Sequence, residues 1–260
     1  MTSIVEISHE EQGIAIVTLN RPEAVNALST ELLHCLYEGL KELKLQSNLR
    51  TVILTGAGEK AFCAGADLKE RAGMNDEKVR ETLKLIGDTI TAVENLPVPV
   101  IAAINGSAFG GGLELALACD IRIASETAKM GLTETALGII PGGGGTQRLP
   151  RIVGMATAKE LIYTARRLDA KTAHAMQIIS HMYPPQHLLE EAKKLAGEIA
   201  VNAPLALRAA KAAINQGADT DLKTGLQIEK DCYQTTLQTR DRLEGLSAFK
   251  EKRKPVFTGN

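Results

Sequence analysis

The chain has 260 residues, with 30 lysines and arginines against 31 aspartates and glutamates and a formal net charge of −1. That length fits one large domain with an appendage and is enough to bury a sizeable core. The near-neutral balance offers no bulk attraction to nucleic acid or to an anionic membrane surface, and no apolar run is long enough to span a bilayer.

Taken from its start, MTSIVEISHE carries neither signal-peptide nor transit-peptide features, so a cytoplasmic protein is expected. Residues 4–20 read as a hairpin turning at Gln12-Gly13. Asn20-Arg21-Pro22 ends its second strand. Asn26 to Ser29 then leads into a helix, with Ser29 as N-cap and Leu32, Leu33, Leu36, Leu40 and Leu43 on one face. Residues 51–55 read as a buried strand, followed by a small-residue loop, Phe62 to Lys69, that enters a helical pattern. Residues 70–90 are a charged run with Gly73, Asn75 and Asp76 inside it.

The apolar run Val98 to Ile104 is the next buried strand. It breaks at Asn105-Gly106, and three glycines, Gly110 to Gly112, open the helical segment LELALA. Residues 121–128 give another strand, and residues 155–168 a helix with Ala156, Leu161 and Ile162 facing inward. Met182 to Pro185 is a break, and from residue 188 the chain is helical only. Pro204 starts one helix that Gly217 stops, and two more cover 221–238 and 242–250. The division is placed at 1–195 and 196–260. A tail this small cannot make its own core, so Leu222, Leu226 and Leu237 are expected to pack on a neighbour or another subunit.

The pattern of apolar run, loop and helix occurs at 51–69 and again at 98–114, which suggests stacked β-β-α units in a short spiral. Alternating strands and helices also fit a doubly wound sheet, but no GxGxxG follows an early strand. Glycines at a helix start allow close approach to backbone N–H groups, and the first turn of a helix stabilises an anion. Glu114 lies in such a turn and reads either as a capping carboxylate or as a catalytic acid/base. Glu134 lies twenty positions on, within GLTETALGIIPGGGG at 131–145. Two helix-entry amides can hold one oxyanion, and two carboxylates can hold one water. The four cysteines, Cys35, Cys63, Cys119 and Cys232, and the five histidines show no metal-ligand spacing, so no metal is expected.

Three stretches carry a family resemblance: AFCAGADLKE at 61–70, NGSAFGGGLELALACDIRIAS at 105–125 and MGLTETALGIIPGGGGTQRLPRIVG at 130–154. With DRLEGLSAFKEKR at 241–253, they resemble the crotonase (enoyl-CoA hydratase/isomerase) superfamily across essentially the whole chain. GADLKER at 65–71, LELALACDIR at 113–122 and PGGGGTQRLPR at 141–151 look closest to the branch of 3-methylglutaconyl-CoA hydratase, also known as the AU-rich RNA-binding enoyl-CoA hydratase.

The resemblance implies an α/β spiral of β-β-α units with a C-terminal helical region that makes a homotrimer or a dimer of trimers. It implies an acyl-CoA substrate, with CoA as part of that substrate and no further cofactor. The N–H groups of Ala66 and Gly111 would form the oxyanion hole. Glu134 would deprotonate or orient the water, and Glu114 would share it and deliver a proton to C2. Ala24, Ala64, Asp67, Leu68 and Gly142 would contact substrate or CoA, with the Gly142 N–H serving a catalytic water or Glu134. The resemblance places the NRP…NAL segment beside the CoA chain, and the segment reads equally as a turn plus cap. Lys69 or Arg71 can face an acidic acyl tail or belong to a solvated charge run, and the basic end (Lys250, Lys252, Arg253, Lys254) can meet CoA phosphates or solvent. Having both glutamates favours hydratase over isomerase. Nucleic-acid binding is not expected, because Lys41, Lys44 and Arg50 share their helix with Glu38 and Glu42.

Overall fold

The computed structural model describes residues 3–260. The first two residues of the expected 1–195 unit, and of the opening segment read for targeting, lie outside them. Strands β1 (Val5–Glu10) and β2 (Ile14–Leu19) form the hairpin, with Gln12 and Gly13 both at positive φ in its turn. Helix α1 (Thr30–Leu45) is capped by Ser29, whose hydroxyl accepts from Leu32 N, and buries all five expected leucines. Then follow β3 (Thr51–Gly56), β4 (Ala61–Cys63), the single turn α2 (Leu68–Arg71) and α3 (Asp76–Glu94). Asn75 caps α3, which buries Ile86, Ile90 and Val93, so much of the charged run is the outer face of an amphipathic helix.

The second turn of the spiral is β5 (Val100–Ile104), β6 (Ser107–Phe109) and α4 (Gly111–Leu117). The third is β7 (Ile121–Ser125), β8 (Lys129–Gly131) and a short 3-10 turn at Glu134–Leu137. Each turn contributes one long strand to one sheet and one short strand to another. The larger sheet has the order β1-β2-β3-β5-β7-β10, parallel except for the β1–β2 hairpin. The smaller has the order β4-β6-β8-β9, parallel except at its β8–β9 edge. Two side-chain amides, one buried and one half-buried, fasten the corners between the sheets. Asn105 accepts from Gly56 N (3.1 Å) and donates to Gly58 O (2.7 Å), while Asn26 donates to Ala57 O (3.0 Å) and Ala61 O (2.8 Å). The NRP…NAL segment therefore has a structural duty of its own.

The remaining elements are α5 (Gly145–Val153), α6 (Met155–Tyr163), β9 (Leu168–Asp169), α7 (Ala170–Ala175), β10 (His181–Tyr183), α8 (Leu188–Ala200), α9 (Pro204–Gly217), α10 (Leu222–Thr236) and α11 (Arg240–Glu251). Two expectations are corrected here. The helix placed over 155–168 ends at Tyr163, because Ala165 takes a positive φ and the chain becomes a strap leading into β9. On α6 it is Ala158, not Ala156, that turns inward. The division at 195/196 falls inside α8. Leu188, Ala192, Ala196 and Ala200 of that helix are buried against Ile14, Ile16, Ile53 and Ile101, so the core unit runs through Ala200. Beyond it, α10 buries no residue and α9 only Pro204, while Leu222, Leu226, Tyr233, Leu243, Leu246 and Phe249 stay exposed.

Candidate active site

A cavity of about 400 Å³ opens where the starts of α2 and α4 meet the 3-10 turn and the glycine loop before α5. Its wall is largely apolar, with Leu83 and Ile86 from α3, Phe109 from β6, and Ile139 and Ile140 from the loop. Ala66 and Gly111 line it side by side. A Cβ placed on Gly111 would lie 3.8 Å from Ala66 N. Gly65, at φ +94°, lets the first turn press against the second, since a Cβ there would lie 2.7 Å from Phe109 O and 3.3 Å from Gly111 N. Among the described residues, no backbone hydrogen bond uses the N–H of Ala66 or of Gly111. Two neighbouring donors thus reach one cavity without an internal partner, as an oxyanion site requires.

Glu114 and Glu134 line the same cavity. Glu114 is 2% exposed, and its Oε1 accepts from Gly143 N and from Gly145 N, both at 2.8 Å. A side chain would crowd the carboxylate at both glycines: a Cβ on Gly143 would lie 2.8 Å from Glu114 Oε2 and 2.5 Å from Ile90 Cδ1, and one on Gly145 would lie 3.0 Å from Glu114 Oε1 and 2.8 Å from Leu132 Cδ1. Burial pushes the Glu114 carboxyl above the usual carboxylate range. The Gly145 and Gly143 N–H groups and the charge of Arg148 act against that rise. Glu134 enters from the 3-10 turn and lies against Gly110, whose Cβ would be 3.1 Å from Glu134 Oε1. Its buried Oε2 has no hydrogen-bond partner among the described residues. Burial pushes the Glu134 carboxyl up to about 7; its own and the Thr133 backbone N–H groups oppose the rise, and the neighbouring Glu114 charge adds to it.

Of the residues expected at the site, Ala64, Ala66, Leu68, Gly111, Glu114, Glu134 and Gly142 line the cavity. Ala24 and Asp67 do not. Ala24 closes a 3-10 turn beside Val25, whose carbonyl accepts from Ala64 N, and so supports the wall from behind. The Asp67 carboxylate caps α2 through Lys69 N and Glu70 N and pairs with Arg21 at 3.2 Å. The glycine contacts to a carboxylate come from Gly143 and Gly145 and go to Glu114; Gly142 makes no such bond to Glu134. Of the two basic candidates, Arg71 lines the cavity and Lys69 does not. Arg167 lines it too, on the strap before β9 with its guanidinium 4.8 Å from the centre of the Phe109 ring. Among the described residues neither Arg71 nor Arg167 makes a salt bridge. Arg167 was not foreseen, because an uninterrupted helix over 155–168 hides the strap that carries it.

Elsewhere, Lys41 pairs with Glu38 (3.0 Å) and Arg50 donates to Ala200 O (2.8 Å) and Phe257 O (2.6 Å). In the basic end, Arg253 is engaged by Glu244 and Glu251. Among the described residues no group of three or more His, Cys, Asp or Glu gathers in a way that could hold a metal, and no helix is long and apolar enough to cross a membrane.

Two sheets wound together from β-β-α units, with paired amides at their seam, define a crotonase-superfamily fold. The chain belongs to the enoyl-CoA hydratase/isomerase family, which it matches over residues 9–260. It is 55% identical over 250 residues to YngF of Bacillus subtilis (strain 168), covering 96% of each chain. It is 51% identical over 257 residues to the mitochondrial methylglutaconyl-CoA hydratase of Homo sapiens, covering 97% of this chain and 76% of that one. The crystal structure of an enoyl-CoA hydratase from Bacillus anthracis shares its fold with a TM-score of 0.98 at 53% identity, covering 99% of this chain and 100% of that one.

Proposed function

We propose that the protein hydrates trans-2-enoyl-CoA thioesters, adding water across the 2,3 double bond to give 3-hydroxyacyl-CoA. The observation that carries this reading is the meeting of a buried carboxylate, Glu114, a half-buried one, Glu134, and two unused amides in one cavity. The thioester oxygen would accept from Ala66 N and Gly111 N. As water adds at C3, negative charge grows on that oxygen, and amides fixed in advance stabilise the enolate more than the ground state.

The environments of the two glutamates favour a division of labour opposite to the one the sequence suggested. Glu114, with two N–H groups on Oε1, is the better ionised base and takes the proton of the attacking water. Glu134, with an orphaned oxygen and a carboxyl pushed up to about 7, holds a proton near neutrality and delivers it to C2. One proton leaves Glu134, one arrives on Glu114, and solvent exchange restores the starting state. Moving a proton along an acyl chain, as an isomerase does, needs only one such base, so the doubly bonded second carboxylate favours hydration.

Within that reaction we assign a short acyl chain ending in a carboxylate, of the 3-methylglutaconyl type. Entry of an anion into an apolar cavity is costly unless a cation meets it, and Arg71 stands on the wall without an acidic partner among the described residues. The relatives named methylglutaconyl-CoA hydratase support the same assignment. A spectrophotometric panel containing crotonyl-CoA, longer enoyl-CoAs, a 3-enoyl-CoA and 3-methylglutaconyl-CoA tests it. Hydration of the 2-enoyl esters with the highest kcat/KM on the dicarboxylic one is expected. Turnover of the 3-enoyl ester alone would make the protein an isomerase.

A further inference from the structure

We infer that Arg148 is a positioning residue for this reaction: by tying the Gly143 carbonyl to Glu94, it holds the glycine loop so that the Gly143 and Gly145 N–H groups meet one oxygen of Glu114 and leave the other for water. The inference rests on the hydratase reading for its kinetic consequence, though the latch itself is a matter of geometry. Arg148 lies on α5 one turn beyond the loop, and its own N–H bonds to Gly144 O at 2.9 Å. Its guanidinium faces two ways. Nη1 donates to Gly143 O at 2.9 Å, while Nε and Nη2 reach the two oxygens of Glu94 near the end of α3 at 3.2 and 2.6 Å. That two-point grip fixes the plane of the guanidinium as a lysine could not.

The run of glycines at 143–145 has a separate reason at each position. Gly143 and Gly145 let the chain approach Glu114. Gly144, at φ +104°, bends the loop between them, and a Cβ on it would overlap Nη1 of Arg148. The loop is thus shaped around the guanidinium on one side and the carboxylate on the other. The peptide unit whose carbonyl Arg148 holds follows the Gly143 N–H by one residue, so rotation of that unit would swing the donors away from Glu114. Oε2 of Glu114 accepts no protein hydrogen bond among the described residues, which leaves it as the oxygen for water. Arg148 is absent from the cavity wall, so it acts through Glu114 rather than on substrate. The titratable or charged groups facing Glu114 are Glu134 from the 3-10 turn and Arg148 from α5. Arg148 in turn faces Glu94 from α3 and the Cys119 thiol that follows α4.

The test compares Arg148→Met, Arg148→Lys and Glu94→Gln with the wild type, each checked for thermal stability and particle size. Arg148→Met should lower kcat on crotonyl-CoA by about ten- to a hundredfold with little change in KM, since small misplacement of a reacting group has losses of that order. The acid limb of the kcat/KM profile should move to higher pH, because burial then acts on the Glu114 carboxyl with less to oppose it. Arg148→Lys should recover part of the loss. Glu94→Gln, a near-isosteric change at a half-exposed residue, should move the limb the same way by less. A carboxyl-carbon NMR titration of Glu114, assigned by its disappearance in Glu114→Gln, reads the latch whether or not the wild type hydrates. A Glu114 titration or an acid limb that stays put in folded Arg148→Met and Glu94→Gln would overturn the inference. A wild type that hydrates nothing while that titration moves as expected would overturn the hydratase reading and leave the latch standing.

Discussion

At the scale of single residues, two glutamates of the same intrinsic acidity are set apart by what surrounds them. Glu114 sits in the first turn of α4 with two peptide N–H groups on one oxygen, while Glu134 has a buried oxygen with no hydrogen-bond partner among the described residues. Hydration in the proposed sense needs Glu114 ionised and Glu134 protonated. Because the Glu134 carboxyl is raised to about 7, it loses its proton as pH climbs through that value. The kcat/KM for hydration should therefore fall on the alkaline side from about 7, with an acid limb from Glu114, and the pair should be read as one bell-shaped titration. A profile flat from about pH 6 to about pH 9 would contradict this assignment. Ala66→Pro removes one donor outright, and hydration should drop by about 3 kcal/mol of barrier, with stability measured on the same sample to separate strain from chemistry. Undiminished turnover would remove the Ala66 N–H from the oxyanion site. The two helix-entry loops and the two glutamates were legible in the sequence, and Ala66, Gly111, Glu114 and Glu134 line one cavity. The Gly143 and Gly145 amides on Glu114, on which the proposed division of proton duties rests, were not legible, since they come from distant positions in the chain. Arg167 was equally hidden: it depends on the positive φ of Ala165 and the pairing of β9 with β8.

Among the elements, long ones declared themselves and short ones did not. The leucine stripe of α1 and the apolar runs of β3 and β5 carry enough residues for a period to show. Strands β4, β6, β8, β9 and β10 have two or three residues each, too few to show alternation, and β4 and β6 find partners in the next turn of the spiral. The second sheet was therefore invisible although the repeat that builds it was not. Helix α2 decides a question of specificity. It is a single turn ending at Arg71, and residues two apart on a helix do not share a face, so Arg71 reaches the cavity while Lys69 faces away. Arg71→Met should lower kcat/KM on 3-methylglutaconyl-CoA by about ten- to a hundredfold, the worth of a charge-assisted bond, while sparing crotonyl-CoA. The same substitution at Lys69 should affect neither. Equal losses on both esters for Arg71→Met would dismiss it as a reader of the acyl tail, and Arg167→Met in the same assay shows whether the second arginine carries that role.

The whole molecule is a wound core with a helical tail that it does not bury. Arg50 holds Phe257 O (2.6 Å), and Lys211 holds Asp120 (2.8 Å) and Val98 O (2.9 Å), so the tail is fastened to the core by polar ties. Its apolar side chains remain outside, with Phe249 86% exposed among several others on α10 and α11. Apolar faces of this size on folded proteins mark interaction surfaces, and we propose self-association into trimers or paired trimers. Light scattering at micromolar concentration should return a trimer or hexamer mass, and a stable monomer would contradict the proposal. The tail's helices were readable from Pro204, Gly217 and their leucines. The boundary was misplaced because the alanine face of α8 looks weakly apolar in sequence, yet small residues are what allow a helix to lie close on a sheet.

The central claim is that two carboxylates and two amides in one cavity hydrate an enoyl thioester. The most direct measurement is the loss of enoyl-thioester absorbance catalysed by the wild type, Glu114→Gln and Glu134→Gln, with CoA-ester binding measured on the same preparations. The wild type should hydrate, each variant should bind the ester as well as the wild type, and each should lose about 10²- to 10⁴-fold in kcat, the range for removal of a positioned acid or base. Near-wild-type turnover by either folded variant would contradict the two-carboxylate account.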